Sequence, residues 1–254
     1  MPWNPEKYHQ FQKERSAPFE DLFRMIDVRP GLEVIDLGCG TGELTRKLAE
    51  RLPGSQVLGI DSSPEMLEST ARQDHPRLRF EQGQIQDVQG SWDLIFSNAA
   101  LQWVGDHQDL IPRLFSLLRP GGQIVVQLPS NHNHISHQTI VETASEEPYR
   151  QSLQGWQRPI PVLSIEAYAS LLFQVGGQEL VVFEKVYPHV LADADAVADW
   201  VSGTALVPYL ERLKLDLREP FLERLREKLR RVWPEGPVFY GFRRTLFSAK
   251  RAAV

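Results

Sequence analysis

The chain has 254 residues, 42% of them hydrophobic, 24% charged, and a net charge of −5. That is enough apolar material for a sizeable α/β core and rules out a disordered or fibrous class. The acidic balance gives no general attraction to nucleic acid or anionic lipid, and the single cysteine, Cys39, provides neither an intramolecular disulfide nor a cysteine-based metal site. With no apolar run near ~18 residues and no signal-peptide pattern at the N-terminus, a cytoplasmic protein is expected.

The first 20 residues carry Trp3, Tyr8, Phe11 and Phe19, too apolar to trail freely, so residues 1–30 are expected to form a helical segment that packs over the active site. From residue 31 onward, short β-branched runs alternate with amphipathic stretches, which is the signature of parallel strands joined by crossover helices. The spacing predicts strands at 33–37, 56–60, 78–82, 93–97 and 123–128, with a later pair at 180–186 and 238–248. Helices are expected at 43–51, 64–72 and 107–118, the last stopped by Arg119-Pro120-Gly121-Gly122. Two segments interrupt this rhythm. Residues 130–162 are polar, and residues 189–235 are strongly helical and are read as a cap inserted into the sheet domain, which itself takes residues 31–188 and 236–254. The expected fold class is therefore a Rossmann-like, doubly wound, mostly parallel seven-stranded sheet with helices on both faces and a helical cap insertion. Arg224 to Arg231 form a basic run with interleaved acids, read as a solvated helix face.

The turn after the first strand holds the main functional signal. Asp36-Leu37-Gly38-Cys39-Gly40-Thr41-Gly42 stands where parallel α/β sheets bind ligands, and its glycines let backbone approach a ligand closely. The same glycine spacing occurs in dinucleotide folds. Asp36, however, is a carboxylate that would repel a pyrophosphate and attract a cationic ligand. Asp61 closes the second strand, where a carboxylate can accept both ribose hydroxyls; it could also cap the helix opened by Ser62-Ser63-Pro64. Thr41-Gly42-Glu43 is not followed by Gly-Lys-Ser or Gly-Lys-Thr, so nucleotide hydrolysis is disfavoured. His132, His134 and His137 lie close in sequence but lack a fourth ligand at a recognised spacing, so no metal is expected.

These residues, over roughly 31–128, resemble motif I and the acidic residue beyond it in the class I S-adenosylmethionine-dependent methyltransferases. The resemblance implies S-adenosylmethionine as cofactor and S-adenosylhomocysteine as product. It also implies a cofactor site of Asp36, Gly38, Gly40, Gly42, Asp61, Ser62, Gln84, Ile85 and Asn98. Gln84 stands where the family usually has an acid facing the adenine amine; an amide can still accept from that amine, and Asp87 is an alternative contact. Phe96 to Trp103 resemble the family's motif IV, where Asn98 faces the methionine end of the cofactor. Features outside the shared core, at residues 3–18, 101–107 and 199–210, are similar to members that esterify a small polycarboxylic acid, with trans-aconitate the expected acceptor. An ionised carboxylate needs no general base, only in-line placement and exclusion of water. Such a site needs groups that hold the remaining carboxylates; the candidate clamps are Arg15, Arg243 and Arg244, with Tyr8, Tyr209 and His132 as weaker hydrogen-bond donors and Trp3 and Trp103 as further substrate contacts, Trp103 near the reacting centre. A carboxyl methyltransferase for a malonyl thioester carrier, and a non-catalytic cofactor-binding module, are the alternatives. No nucleic-acid or membrane partner is expected.

Overall fold

The computed structural model describes residues 12–73 and 75–253, with side chains from residue 17 onward. The described residues divide into two compact units, one formed by 16–129, 161–185 and 244–253 and the other by 12–15, 130–160 and 186–243.

In the first unit, α1 (Gln12–Phe23) leads to β1 (Glu33–Leu37), α2 (Glu43–Arg51), β2 (Gln56–Asp61), α3 (Pro64–Glu68), β3 (Leu78–Gln82), β4 (Trp92–Asn98) and α4 (His107–Ser116). Then follow β5 (Leu118–Pro129) and, after α5 (Ile135–Ala144) and α6 (Tyr149–Ser152) of the second unit, α7 (Ile165–Gln174), β6 (Gln178–Leu191), which belongs to this unit as far as residue 185, and β7 (Val238–Lys250), which belongs to it from residue 244. The sheet order is β3-β2-β1-β4-β5-β7-β6; β1 to β5 pair in parallel and β7 runs antiparallel to β5. The expected seven-stranded, mostly parallel sheet is therefore present. Because the chain steps outward from β1 to β3 and then returns to place β4 on β1's other side, a crevice opens at the strand ends between β1 and β4.

Strand alternation assigns the two faces. Val34, Val57, Leu94, Phe96, Val125 and Leu246 join Phe19 and Leu22 of α1 and Leu48 of α2 in one core. Ile35, Leu37, Leu58, Ile60, Ile95, Ile124, Val126 and Phe247 join Leu110 and Leu114 of α4 and Tyr168 and Leu172 of α7 in the other. Side chains at neighbouring strand positions point to opposite faces, so a run apolar at every position must be covered on both.

Three expectations about elements are corrected. The helix expected at 64–72 is α-helical only to Glu68 and continues as a 3-10 turn over Ser69–Arg72, with no buried residue to hold either piece. Its N-cap is Ser63, whose hydroxyl accepts from the Met66 N–H at 3.2 Å, and not Asp61. Arg119-Pro120-Gly121-Gly122 is not a stop after the helix: α4 ends at Ser116, and these residues form the start of β5, where the pairing with β4 shifts register between Trp92 and Leu94. Gly121 takes φ +73 there, its N–H donating to the Arg251 carbonyl.

The second unit is helical: α5 (Ile135–Ala144), α6 (Tyr149–Ser152), α8 (Ala194–Ser202), α9 (Val207–Arg212) and α10 (Leu215–Val232). Its core gathers Ile140, Val197, Val201, Tyr209, Phe221, Leu225, Leu229 and Tyr240. The polar segment expected over 130–162 therefore contains a helix, whose buried residues include Ser136, Thr139 and Thr143, with Thr143 Oγ1 donating to the Thr139 carbonyl at 2.7 Å. Polar groups hydrogen-bonded inside a helix leave little apolar periodicity for a sequence to show. The basic run of α10 is ion-paired: Arg224 with Glu146 at 2.7 Å, Lys228 with Glu146 at 3.0 Å, and Arg230 with Asp195 at 2.9 Å. Among the described residues, no helix is long and apolar enough to cross a membrane.

Candidate functional site

The crevice of the first unit contains a cavity of about 480 Å³, lined from four successive strand ends. Gly38 follows β1, Asp61 and Ser62 end β2, Gly83 to Gln86 follow β3, and Ala100, Trp103, Val104 and Gly105 follow β4. Its volume lies in the range of about 300–1,000 Å³ typical of cofactor-sized pockets.

The glycine turn is pinned at its base. The N–H groups of Gly38 and Cys39 both donate to the Ile60 carbonyl at 2.9 Å, and Gly40 N–H donates to Asp61 Oδ2 at 2.9 Å. The other carboxylate oxygen of Asp61 accepts from the Ser63 N–H at 2.9 Å, so this residue joins the turn after β1 to the turn after β2 while lining the cavity. Asp36 lies beneath the turn, buried, accepting from Thr45 Oγ1 of α2 at 2.7 Å. Burial pushes its carboxyl up to about 7, against the lowering effect of the Thr45 bond.

The glycines serve different ends. Gly38, at φ +77, leaves no room for a Cβ, which would collide with the side chain of Ala100. Gly40 has open space around it. Gly42 is the N-cap of α2 at φ +75, and a Cβ there would stand 2.6 Å from the Phe80 ring of β3. Phe80, which also fills the space over Gly59, is a structural partner of the turn that the sequence reading did not single out.

Of the residues expected to hold cofactor, Gly38, Asp61, Ser62, Gln84 and Ile85 line the cavity, whereas Asp36, Gly40, Gly42 and Asn98 do not. Asp87 is exposed and does not line it. Gly83, Gln86, Ala100, Val104 and Gly105 belong to the lining and were not foreseen. Trp103, 54% exposed, is part of the lining. Beneath the segment 100–105, His107 is buried between Tyr168 (Nδ1 to OH, 2.6 Å) and the Leu101 carbonyl (Nε2 to O, 2.9 Å). A carbonyl only accepts, so Nε2 carries the proton, Nδ1 accepts from the Tyr168 hydroxyl, and the hydroxyl accepts from the Leu163 N–H at 3.3 Å. Burial lowers the His107 pKa and keeps this neutral tautomer.

Of the acceptor candidates, Trp3 and Tyr8 lie outside the described residues, as does the side chain of Arg15. Tyr209 is buried in the second unit, edge-on to Trp156, with its hydroxyl accepting from the Arg158 N–H at 3.2 Å. Arg244 is buried in the first unit, donating to Gln127 Oε1 at 2.8 Å. Arg243 is exposed and His132 half-buried, both in the second unit.

A doubly wound sheet with a carboxylate at the end of β2, a glycine turn after β1 and a buried acid beneath it defines a class I methyltransferase architecture. Residues 29–169 match the family described as a methyltransferase domain. The trans-aconitate 2-methyltransferase of Deinococcus radiodurans is 49% identical over 99% of both chains, and that of Paracidovorax citrulli 37% identical over 99% of both. The chain belongs to the S-adenosylmethionine-dependent methyltransferases and, within them, to the trans-aconitate 2-methyltransferase family. Among solved structures, YcgJ of Bacillus subtilis matches with a TM-score of 0.61 at 12% identity, over 93% of this chain and 99% of its own. The phosphoethanolamine N-methyltransferase 2 of Haemonchus contortus, solved with S-adenosyl-L-methionine, matches with a TM-score of 0.58 at 17% identity, over 93% of this chain and 52% of its own. At such identities the likeness establishes the fold.

Proposed function

We propose that the chain esterifies one carboxylate of trans-aconitate, giving the monomethyl ester and S-adenosylhomocysteine. The observation that carries this reading is the 49% identity to a trans-aconitate 2-methyltransferase over 99% of both chains, well beyond the 29–169 shared with methyltransferases at large.

The residues of the cavity fit S-adenosylmethionine. A pinned carboxylate, Asp61, faces a cradle whose closest point, Gly38, tolerates no side chain, and Ile85 offers an apolar surface for a ring. In this reading Asp61 accepts from the ribose hydroxyls, Gln84 accepts from the adenine amine, and Asp36, which burial raises to about 7, gives up its proton when the cationic end stands above it. When bound, the cofactor would supply a sulfonium-borne methyl as the electrophile and keep the C–S bonding pair on sulfur; the acceptor carboxylate is already an anion, so no residue has to move a proton. The chain therefore needs no general base: its residues orient the acceptor and exclude water. No metal takes part in this scheme.

The expected domain organisation belongs to the same proposal. Residues 31–188 and 236–254 hold the cofactor, while 1–30 and the cap at 189–235 select the acceptor; the candidate contacts are Trp3, Tyr8, Arg15 and Tyr209, joined by Trp103 of the sheet domain, and Arg244, buried and donating to Gln127, acts at one remove. The enzyme is expected to act in the cytoplasm on a small free acid, without nucleic acid or membrane. Incubating the purified chain with S-adenosylmethionine and trans-aconitate and following the ester by mass spectrometry tests the substrate. No ester from trans-aconitate, with turnover of a malonyl thioester carrier, would remove the acceptor assignment and leave the class intact.

A further inference from the structure

At the carboxyl end of β4, Asn98 faces Gln127 across the β4–β5 pair, and Arg244 of β7 stands diagonally beyond it, since Pro129 pairs with Arg244 and Gln127 with Leu246. The three side chains form a line. Arg244 Nη1 donates to Gln127 Oε1 at 2.8 Å, and Gln127 Nε2 donates to Asn98 Oδ1 at 2.7 Å. Arg244 and Gln127 are buried, at 9% and 0% exposure, while Asn98 is half-buried as the last residue of β4, two residues before the cavity-lining Ala100 and not itself in the lining.

This line has only one polarity. A guanidinium donates and never accepts, so the Gln127 oxygen must face Arg244 and its amide nitrogen must face Asn98. Asn98 then accepts through Oδ1, which leaves its Nδ2 group to donate away from Gln127. Without the cation, both amides could rotate by half a turn and satisfy each other equally well. The backbone holds the same arrangement: Ala99 takes φ +58, which alanine avoids, with its N–H donating to the Gln127 carbonyl at 2.8 Å and its own carbonyl accepting from Gln102 Nε2 at 2.6 Å. Next to it, Ala100 lines the cavity.

We propose that Arg244 is a positioning residue that acts through Gln127 to fix Asn98 as a hydrogen-bond donor to a carboxylate oxygen in the methyl-transfer site. This rests on the function proposed above, in which two carboxylates come together: that of the acceptor and the α-carboxylate of the cofactor's methionine end. Arg244 then acts at one remove, and its charge polarises the donor without an exchangeable cation in the site.

The test reverses the polarity with an isosteric change. In Gln127→Glu the carboxylate accepts from Arg244 on one side, so Asn98 must rotate to donate to it and turns its oxygen to the site. Asn98→Asp presents an anionic oxygen there directly. Both full-length variants are measured for acceptor KM in the steady state and for S-adenosylhomocysteine Kd by calorimetry. Each is expected to raise one of the two constants about 10- to 100-fold, as loss of a hydrogen bond to a charged group requires, with the other within about threefold of wild type. A rise in KM places the acceptor's carboxylate at Asn98, and a rise in Kd places the cofactor's. Arg244→Met should move the same constant by less, because it frees the rotation without enforcing the reversed state. If Gln127→Glu does not fold, Asn98→Asp at its half-buried position decides alone. Both constants within about threefold of wild type in a folded variant would overturn the proposal, as would equal rises in both that merely track a fall in Tm. Should wild type methylate another acid, the KM arm is read with that acid, so the substrate assignment and the role of Asn98 fail separately.

Discussion

Gly38→Ala isolates what the cofactor turn requires. The new side chain would be strained at φ +77 and would meet Ala100 Cβ, which is carried by the backbone of the segment after β4 and cannot rotate away. The left-handed backbone costs alanine roughly 1–2 kcal/mol, and forcing a methyl into packed space typically adds about 1–3 kcal/mol. The sum of roughly 2–5 kcal/mol corresponds to a Tm loss of about 4–20 °C for a chain of this size. Gly40→Ala is the internal comparison: at φ +57 with nothing within 4 Å, it bears the backbone cost alone. Scanning calorimetry on both variants, with and without S-adenosylhomocysteine, separates the two contributions. Gly38→Ala should lose more Tm than Gly40→Ala and should also bind the product at least about tenfold more weakly, because relief of the clash displaces the cavity wall at Ala100. Equal Tm values for the two variants, or unchanged affinity in Gly38→Ala, would refute the argument that close approach is what the residue supplies.

The remaining expectations use other parts of the site. Asp61→Asn keeps one acceptor oxygen where two are engaged, by Gly40 and Ser63, and should weaken S-adenosylhomocysteine binding about 10- to 100-fold in calorimetry; unchanged affinity would remove Asp61 from the ribose. Asp36 has a folded pKa of about 7 against an ordinary 3.8, so the folded state holds an extra proton between those values; its contribution is fully present below pH 4 and is lost as pH rises to 7. Urea unfolding at pH 4 and pH 8 should therefore show wild type losing up to about 4 kcal/mol more stability than Asp36→Asn over that interval, and parallel losses would contradict the assignment. Tyr168→Phe deprives His107 Nδ1 of its donor inside the core and should cost about 1–3 kcal/mol by chemical denaturation, with no loss expected if the hydroxyl were merely filling space.

How much of this was readable before the structure depends on where the determinants lie. β1, β2 and β4 announce themselves because each has neighbours on both edges and helices on both faces, which makes them continuous apolar runs. The start of β5 does not, since Pro120-Gly121 reads locally as a break, whereas the Arg251 carbonyl and the Trp92 pairing that hold it in the sheet come from distant segments. The helix at Ile135–Ala144 was hidden for a similar reason: Thr139 and Thr143 satisfy their hydroxyls on its own carbonyls and so bury polar residues without an apolar stripe. Asp61 was legible as a candidate from its place at the end of a strand, and it does line the cavity; its bond from the Gly40 N–H joins two different turns and shows only in the fold.

The string Gly-x-Gly-x-Gly illustrates why motif and mechanism separate. Its three glycines answer to three neighbours: Gly38 to Ala100 on the far side of the crevice, Gly40 to the Asp61 carboxylate, and Gly42 to the ring of Phe80. A dinucleotide-binding turn satisfies the same string with other neighbours, so the glycines fix a backbone path and leave the ligand open. What narrows the ligand is the charge set around that path: an acid buried beneath the turn with Thr45, an acid at its edge, and the Arg244 cation, linked through Gln127 to Asn98. A buried acid that ionises when a cation approaches suits a cationic cofactor, and a donor fixed by a remote cation suits a carboxylate that must be held without neutralising its nucleophilic oxygen. The first property belongs to the sheet's own strand ends and is local enough to read from residues 33–61. The second spans Asn98, Gln127 and Arg244, drawn from three strands and nearly 150 residues of chain, and emerges only when β4, β5 and β7 lie side by side.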